Sequence, residues 1–131
     1  ECAVLQRVSL HNCIASLEAF YEESDSFFIV MEFVAGGDVF DKVCNSGPFS
    51  EPEAANLLAE VGGALALLHA QGLCHADIKP ENMLLTEDGH VKLVDFGLSC
   101  EISKGEDKSE GTLGYWAPEV LRTHRYALPM D

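Results

Sequence analysis

The stretch HADIKPENMLL, His75 to Leu85, places Asp77, Lys79 and Asn82 within six positions and only then turns apolar. A buried strand does not carry three such groups side by side, so the choice lies between a solvated loop and a loop that performs chemistry. The residues that follow decide it. MLL (residues 83–85) and HVKLVDF (residues 90–96) are short apolar runs joined by TEDG. The Asp88-Gly89 pair can supply the positive φ angles of a hairpin turn. Closing that hairpin brings Asp95, just past its second strand, beside Asp77, Lys79 and Asn82.

Working outward, SEPEAANLLAEVGGALALLHAQG (residues 50–72) carries every helix signal. Ser50 and Glu53 form a capping box, Pro52 sits in the tolerated first turn, and Gly72 can supply a left-handed stop. Leu57, Leu58, Val61, Leu65 and Leu68 recur at helical spacing. Gly62 and Gly63 inside this helix each cost about 1 kcal/mol relative to Ala, which predicts another backbone packed closely against them, from within this chain or from outside it. Upstream, Leu5, Val8 and Ile14 are spaced like the end of a helix running into a loop. SFFIVMEFV, Ser26 to Val34, is rich in aromatic and β-branched residues and predicts a strand. Gly36 and Gly37 follow as a change of direction. Residues 97–115 are rich in Gly, Ser and charge and read as one long loop.

Length and composition narrow the class. The 131 residues, 47% of them apolar, suffice for one domain with a core. No apolar run reaches the roughly 18 residues needed to cross a bilayer, and the basic-then-apolar start of a secretory signal is absent. A net charge of −14 repels phosphate backbones and anionic lipid, which argues against nucleic acid as a partner and favours basic peptides or divalent cations. Five cysteines without a C-x-x-C pair suit inert, reduced thiols in a cytoplasmic setting and predict no zinc site.

Phosphoryl transfer asks for a carboxylate that orients the attacking hydroxyl, oxygen ligands for metal ions, and a cation against developing charge. Asp77 can accept the hydroxyl proton, Lys79 can neutralise the phosphoryl group, and Asn82 with Asp95 can hold Mg²⁺. HADIKPEN resembles the protein-kinase catalytic loop H-R-D-x-K-P-x-N, DFG at Asp95–Gly97 resembles the metal-binding motif, and APE at Ala117–Glu119 resembles the close of the activation segment. The lysine at 79, together with GTLGYWAPE, resembles serine/threonine rather than tyrosine kinases, and the Gly-Gly-acid-hydrophobic-Phe pattern at residues 36–40 resembles the calcium/calmodulin-dependent and cyclic-nucleotide-dependent groups.

The resemblance implies an α+β, partial bilobal kinase fold. Residues 1–34 would be a remnant of the small lobe and hinge, and residues 35–131 the first half of the mainly helical large lobe, so that this piece alone would be inactive. It further implies ATP and Mg²⁺ as cofactors. Thr112 would bind Asp77 and Lys79. Glu1 would pair with an ATP-holding lysine, Met31 would be the gatekeeper, the backbone of Glu32 and Val34 would bind adenine, and Leu84 would form the floor beneath it. Asp38, near the ribose, and Glu81, at the peptide groove, would meet basic residues of a protein substrate, although Asp38 can equally cap a following helix. His75 would pack with Phe96 and Leu5 rather than act as a base, and Asp131 would open the family's central helix. Calmodulin or another regulator would act through segments outside this chain.

One position departs from the pattern. Ala76 replaces the family's phosphate-binding arginine, and Lys108, with Ser109 beside it, stands where a phosphorylated threonine is common, which predicts that activation-loop phosphorylation is dispensable; Lys108 with Glu106, Asp107 and Glu110 would hold the loop, or these charges form only a solvated loop tip. The alternative to an active kinase is a pseudokinase scaffold that keeps the fold without turnover.

Overall fold

The computed structural model describes residues 1–8, 10–102, 110–123 and 130–131. Helix α1 (Cys2–Val8) buries Leu5 and Val8. Strands β1 (Leu17–Glu22) and β2 (Phe27–Met31) pair antiparallel, closed by Glu23 N donating to Ser26 O at 2.9 Å. The sequence predicts a single strand over 26–34. The second strand, LEAFYE, was hidden because its apolar residues do not alternate cleanly and both faces stay largely exposed.

Helix α2 (Val39–Ser46) starts where Asp38 Oδ1 accepts the Asp41 amide at 2.7 Å, so the capping role of Asp38 is realised. Before it, Gly36 N donates to Leu85 O at 2.7 Å, and a methyl group on Gly36 would collide with that carbonyl, 2.9 Å from its carbon. Only glycine allows this approach of the connecting chain to the hairpin.

Helix α3 (Glu51–Ala70) begins with Ser50 N donating to Glu53 Oε2 at 2.8 Å, and Gly72 leaves it at φ 71°. Its buried face is Val61, Ala64 and Leu68; Leu58, expected on that face, is 65% exposed. The backbone expected against Gly62 and Gly63 is absent among the described residues. A Cβ on Gly62 would meet nothing within 4 Å, and one on Gly63 would meet only the His11 ring, at 3.9 Å.

Strand β3 (Leu73–Cys74) follows, then a 3₁₀ turn (Pro80–Asn82) and the hairpin of β4 (Met83–Leu85) and β5 (Val91–Leu93), with Leu84 opposite Lys92. The hairpin turn differs from the two-residue form expected from Asp88-Gly89. Thr86 N donates to His90 O at 2.8 Å and only Gly89 takes positive φ, at 87°, which makes a three-residue loop with glycine in the left-handed position. Residues 97–115 are also not one loop: β6 (Cys100–Glu101) pairs antiparallel with β3, and Leu113–Tyr115 form a 3₁₀ turn before helix α4 (Pro118–Thr123). A two-residue strand leaves no periodic signal to read.

Leu5, Val8 and Ile14 join Val61, Ala64 and Leu68 of α3, the hairpin residues Val91 and Leu93, and Phe96 in one core. Glu60 of α3 fastens the hairpin turn, accepting from Val91 N at 2.8 Å and meeting His90 Nδ1 at 2.6 Å. Its hydrogen bond and charge, with Asp88 adding, raise the His90 pKa above 6.5. A raised folded pKa means that the latch is complete below 6.5 and weakens as pH rises through the raised value. NMR titration is expected to place the His90 midpoint above 6.5 and to lower it in Glu60→Gln; an unchanged midpoint in that variant would remove the latch.

Candidate active site

The loop from His75 to Asn82 is fixed from beneath. His75 is fully buried, packs tilted against Phe96 with ring centroids 4.8 Å apart, and its Nε2 meets Val94 O at 3.1 Å. Burial pushes its pKa down, against the opposing pull of Asp131 and the Val94 carbonyl, so the ring is held neutral as a packing element. Leu5, its expected companion, is buried in the same core as Phe96.

Asp131 holds the loop's backbone. Its Oδ2 accepts the His75 amide at 2.7 Å and its Oδ1 the Ala76 amide at 2.8 Å, while His69 Nε2 lies 3.1 Å from Oδ2. Ala76 is thereby kept at φ 71° and Asp95, at the other end of the hairpin, stands at φ 60°; these are the two non-glycine residues with positive φ among those described. Such backbone costs about 1–3 kcal/mol per residue and persists only where its surroundings impose it. Sequence reading placed Asp131 at the start of a helix and missed this clamp, since nothing local links a residue at 131 to amides at 75 and 76. His69, Cys74 and Asp131 bring possible ligand atoms within 4.8 Å of one another, but the Asp131 oxygens are already engaged by the loop amides.

Both oxygens of Asp77 are occupied. Oδ1 accepts from the Thr112 amide at 3.0 Å and the Thr112 hydroxyl at 2.8 Å; Oδ2 lies 2.6 Å from Lys79 Nζ and accepts from Asn82 Nδ2 at 2.9 Å. Lys79 also donates to Thr112 Oγ1 at 2.8 Å, which closes a ring of three side chains. Burial works against the Asp77 charge, yet the bonds from Lys79 and Thr112 together hold its carboxyl below the usual range. The Asp77 hydrogen bond raises the Lys79 pKa against partial burial. The pair is therefore ionised at neutral pH. Gly111 admits this closeness: at φ 121°, a Cβ there would stand 2.9 Å from Trp116 Nε1 and 3.1 Å from Ala76 O.

Asn82 spends its amide nitrogen on Asp77 O and Oδ2, both at 2.9 Å, which turns its Oδ1 away from Asp77. Its carbonyl accepts from Val94 N at 3.0 Å, so Asp95 follows immediately alongside. Asp95 is exposed, with Oδ1 taking the Gly97 amide at 3.3 Å. An amide oxygen and an exposed carboxylate on adjoining backbone are hard oxygen donors of the kind Mg²⁺ takes.

The remaining candidates form a second wall. Leu84, half-buried, is bridged to Asp38 across an isolated β-bridge. Met31 is partly buried against the core. Glu32 donates its amide to Ser16 O at 2.9 Å, and its carboxylate binds Lys92 at 2.6 Å, an ion pair that sequence reading missed. Val34 is buried, and Glu81 is exposed on the 3₁₀ turn. The Glu1 carboxylate approaches to 4.0 Å from where a Cβ on Gly97 would stand. Lys108, Ser109, Glu106 and Asp107 lie outside the described residues.

A family model described as protein kinase domain matches residues 1–131. The chain is 43% identical over 133 residues to the serine/threonine-protein kinase PEPKR2 of Arabidopsis thaliana, covering all of this chain and 28% of that protein. It is 40% identical over 136 residues to calcium/calmodulin-dependent protein kinase type 1B of Homo sapiens, covering all of this chain and 39% of that one. The 131 residues thus span well under half the length of these relatives. No helix among the described residues is long and apolar enough to cross a membrane.

Proposed function

The chain belongs to the protein kinase domain family, and from that membership we propose that the protein carrying it transfers the γ-phosphoryl group of ATP to serine or threonine of protein substrates. The observation that carries the reading is the closed ring of Asp77, Lys79 and Thr112, because a threonine at that place joins the groups needed to orient a hydroxyl and to meet a phosphoryl. Residues 1–34 serve as small lobe and hinge, and residues 35–131 as the first half of the large lobe.

Asp77 is ionised and aimed by four contacts, so it is oriented to receive the hydroxyl proton once Lys79 releases it. Lys79 currently occupies Oδ2 at 2.6 Å; turning it toward a transferring phosphoryl opens that oxygen to the incoming hydroxyl and brings positive charge to the group in motion. Asn82 and Asp95 would hold Mg²⁺, which when bound would supply positive charge to the phosphate oxygens. Met31 and Leu84 would flank adenine, and the backbone of Glu32 and Val34 would offer its hydrogen bonds. Glu1 fixes a lysine outside this chain. Reliance on ATP and five thiols agree with an intracellular, cytoplasmic site of action.

Asp38 and Glu81 offer carboxylates to arginine upstream of the acceptor, since guanidinium–carboxylate pairing is directional. A peptide-library assay on the full-length protein is expected to show phosphate on Ser and Thr but not Tyr, with a basic preference that weakens about tenfold in Asp38→Asn, equivalent to about 1.4 kcal/mol. Phosphate on Tyr, or no transfer to any peptide, would overturn the reading; an unchanged preference would remove Asp38 from substrate selection. Calmodulin, carried in the name of one relative, would engage a segment outside these residues, and failure of the full-length protein to bind it with Ca²⁺ would exclude that control.

A further inference from the structure

Two of the five cysteines, far apart in sequence, face each other. Cys74 and Cys100 are direct cross-strand partners in the β3–β6 ladder, both are thiols, and both are buried, Cys74 at 0% and Cys100 at 8% exposure. Ile102 N donates to Gly72 O at 3.0 Å two positions along the same register, which makes Cys74 and Cys100 a hydrogen-bonded pair. Such pairs have Cα atoms about 5.5 Å apart and side chains on one face of the ladder, inside the roughly 4.4–6.8 Å window of disulfides.

We propose that Cys74 and Cys100 form a reversible disulfide that is a redox modification site of this protein. The oxidant is hydrogen peroxide. The Cys100 sulfur, the more exposed of the two, attacks a peroxide oxygen; an S–O bond forms, the O–O bond breaks, and the leaving oxygen departs as water after taking the thiol proton. The Cys74 sulfur then attacks the sulfenic sulfur, the S–S bond forms, and the hydroxyl leaves with the Cys74 proton as a second water. Burial, with Asp131 and then Cys100 adding, pushes the Cys74 thiol up to about 12, which disfavours its thiolate and leaves the first attack to Cys100.

The place of the bond gives it consequence. Cys74 immediately precedes His75, and Ser99, next to Cys100, donates its hydroxyl to His75 O at 3.4 Å. Hydrogen-bonded strand pairs hold their side chains wider than a relaxed disulfide, so closure draws β6 toward β3 and shifts the loop carrying Asp77. Strain of this kind also makes a bond easily reduced. The site itself stands whether or not the protein is a kinase, whereas its effect on transfer rests on that reading.

The test treats native full-length protein with hydrogen peroxide, blocks remaining thiols, digests without reductant and maps the linked peptides by mass spectrometry. The expected result is a Cys74–Cys100 linked peptide about 2 Da lighter than the summed thiol peptides, removed by dithiothreitol and absent from Cys100→Ala. Transfer is expected to fall at least threefold with the bond and to recover on reduction, while Cys100→Ala keeps its rate in peroxide. Oxidation of the exposed Cys44 with Cys74 and Cys100 still fully alkylatable after unfolding would overturn the proposal, as would a Cys74–Cys100 link formed only after denaturation. A linked peptide with unchanged transfer would overturn its control of the loop. Absence of transfer in the reduced protein would count against the kinase reading alone, because the peptide map does not depend on it.

Discussion

Asp77→Asn in the full-length protein is expected to lower kcat about 10²–10⁴-fold, the range that a positioned general base supplies, with the ATP dissociation constant little changed. The substitution keeps the size of the side chain and its Oδ1 contacts to Thr112. What it removes is the negative charge that meets Lys79 at 2.6 Å and would meet the hydroxyl proton. A group that acts on the proton in flight contributes to the transition state rather than to nucleotide binding, so the loss belongs in kcat. Stopped-flow nucleotide binding beside steady-state kinetics separates the two. A large rise in the ATP dissociation constant at normal kcat would place Asp77 in the nucleotide site and remove it as base.

Asp131→Ala is expected to destabilise the protein by about 3 kcal/mol or more, each hydrogen bond to an ionised acceptor contributing about 1.5–3 kcal/mol. Two such bonds, from His75 N at 2.7 Å and Ala76 N at 2.8 Å, are lost together, and the side chain that accepts them is 1% exposed. The left-handed backbone of Ala76 loses the constraint that maintains it. Urea unfolding measures the stability, and kcat is expected to fall as the His75–Asp77 loop loosens. Asp131→Asn is the milder companion, since its amide can accept only one of the two bonds. A stability loss under about 1 kcal/mol in Asp131→Ala would mean that the loop is held by other means.

The grouping of Asp77, Lys79 and Asn82 was more legible than the architecture. Asp77, Lys79, Asn82 and Asp95 announced themselves because polar groups were packed where apolar ones should stand, and a hairpin of readable sequence joined them. Helix α3 was legible from its capping box and period; among the described residues only His11 approaches its two glycines, so a partner backbone for them would have to come from outside these residues. Strands β3 and β6, two residues each, have no period at all, and they are created by tertiary pairing. The Asp131 clamp and the Lys92–Glu32 pair were invisible for the same reason, being contacts between segments distant in sequence. Thr112 was found only through the resemblance, and its bonds to Asp77 and Lys79 give that position a physical purpose.

The measurement that bears most directly on the account is transfer of labelled γ-phosphate from ATP to a serine peptide by the full-length protein, titrated with Mg²⁺ and repeated with Asp95→Asn. Asp95 is exposed beside Asn82 and contributes an ionised oxygen that an amide replaces with a weaker ligand. The account predicts phosphoserine that rises with Mg²⁺ and is reduced at least 10²-fold in the variant, with the fold intact by circular dichroism. Nucleotide binding without transfer in the wild type, or equal transfer by wild type and Asp95→Asn, would contradict it and leave a scaffold in place of an enzyme.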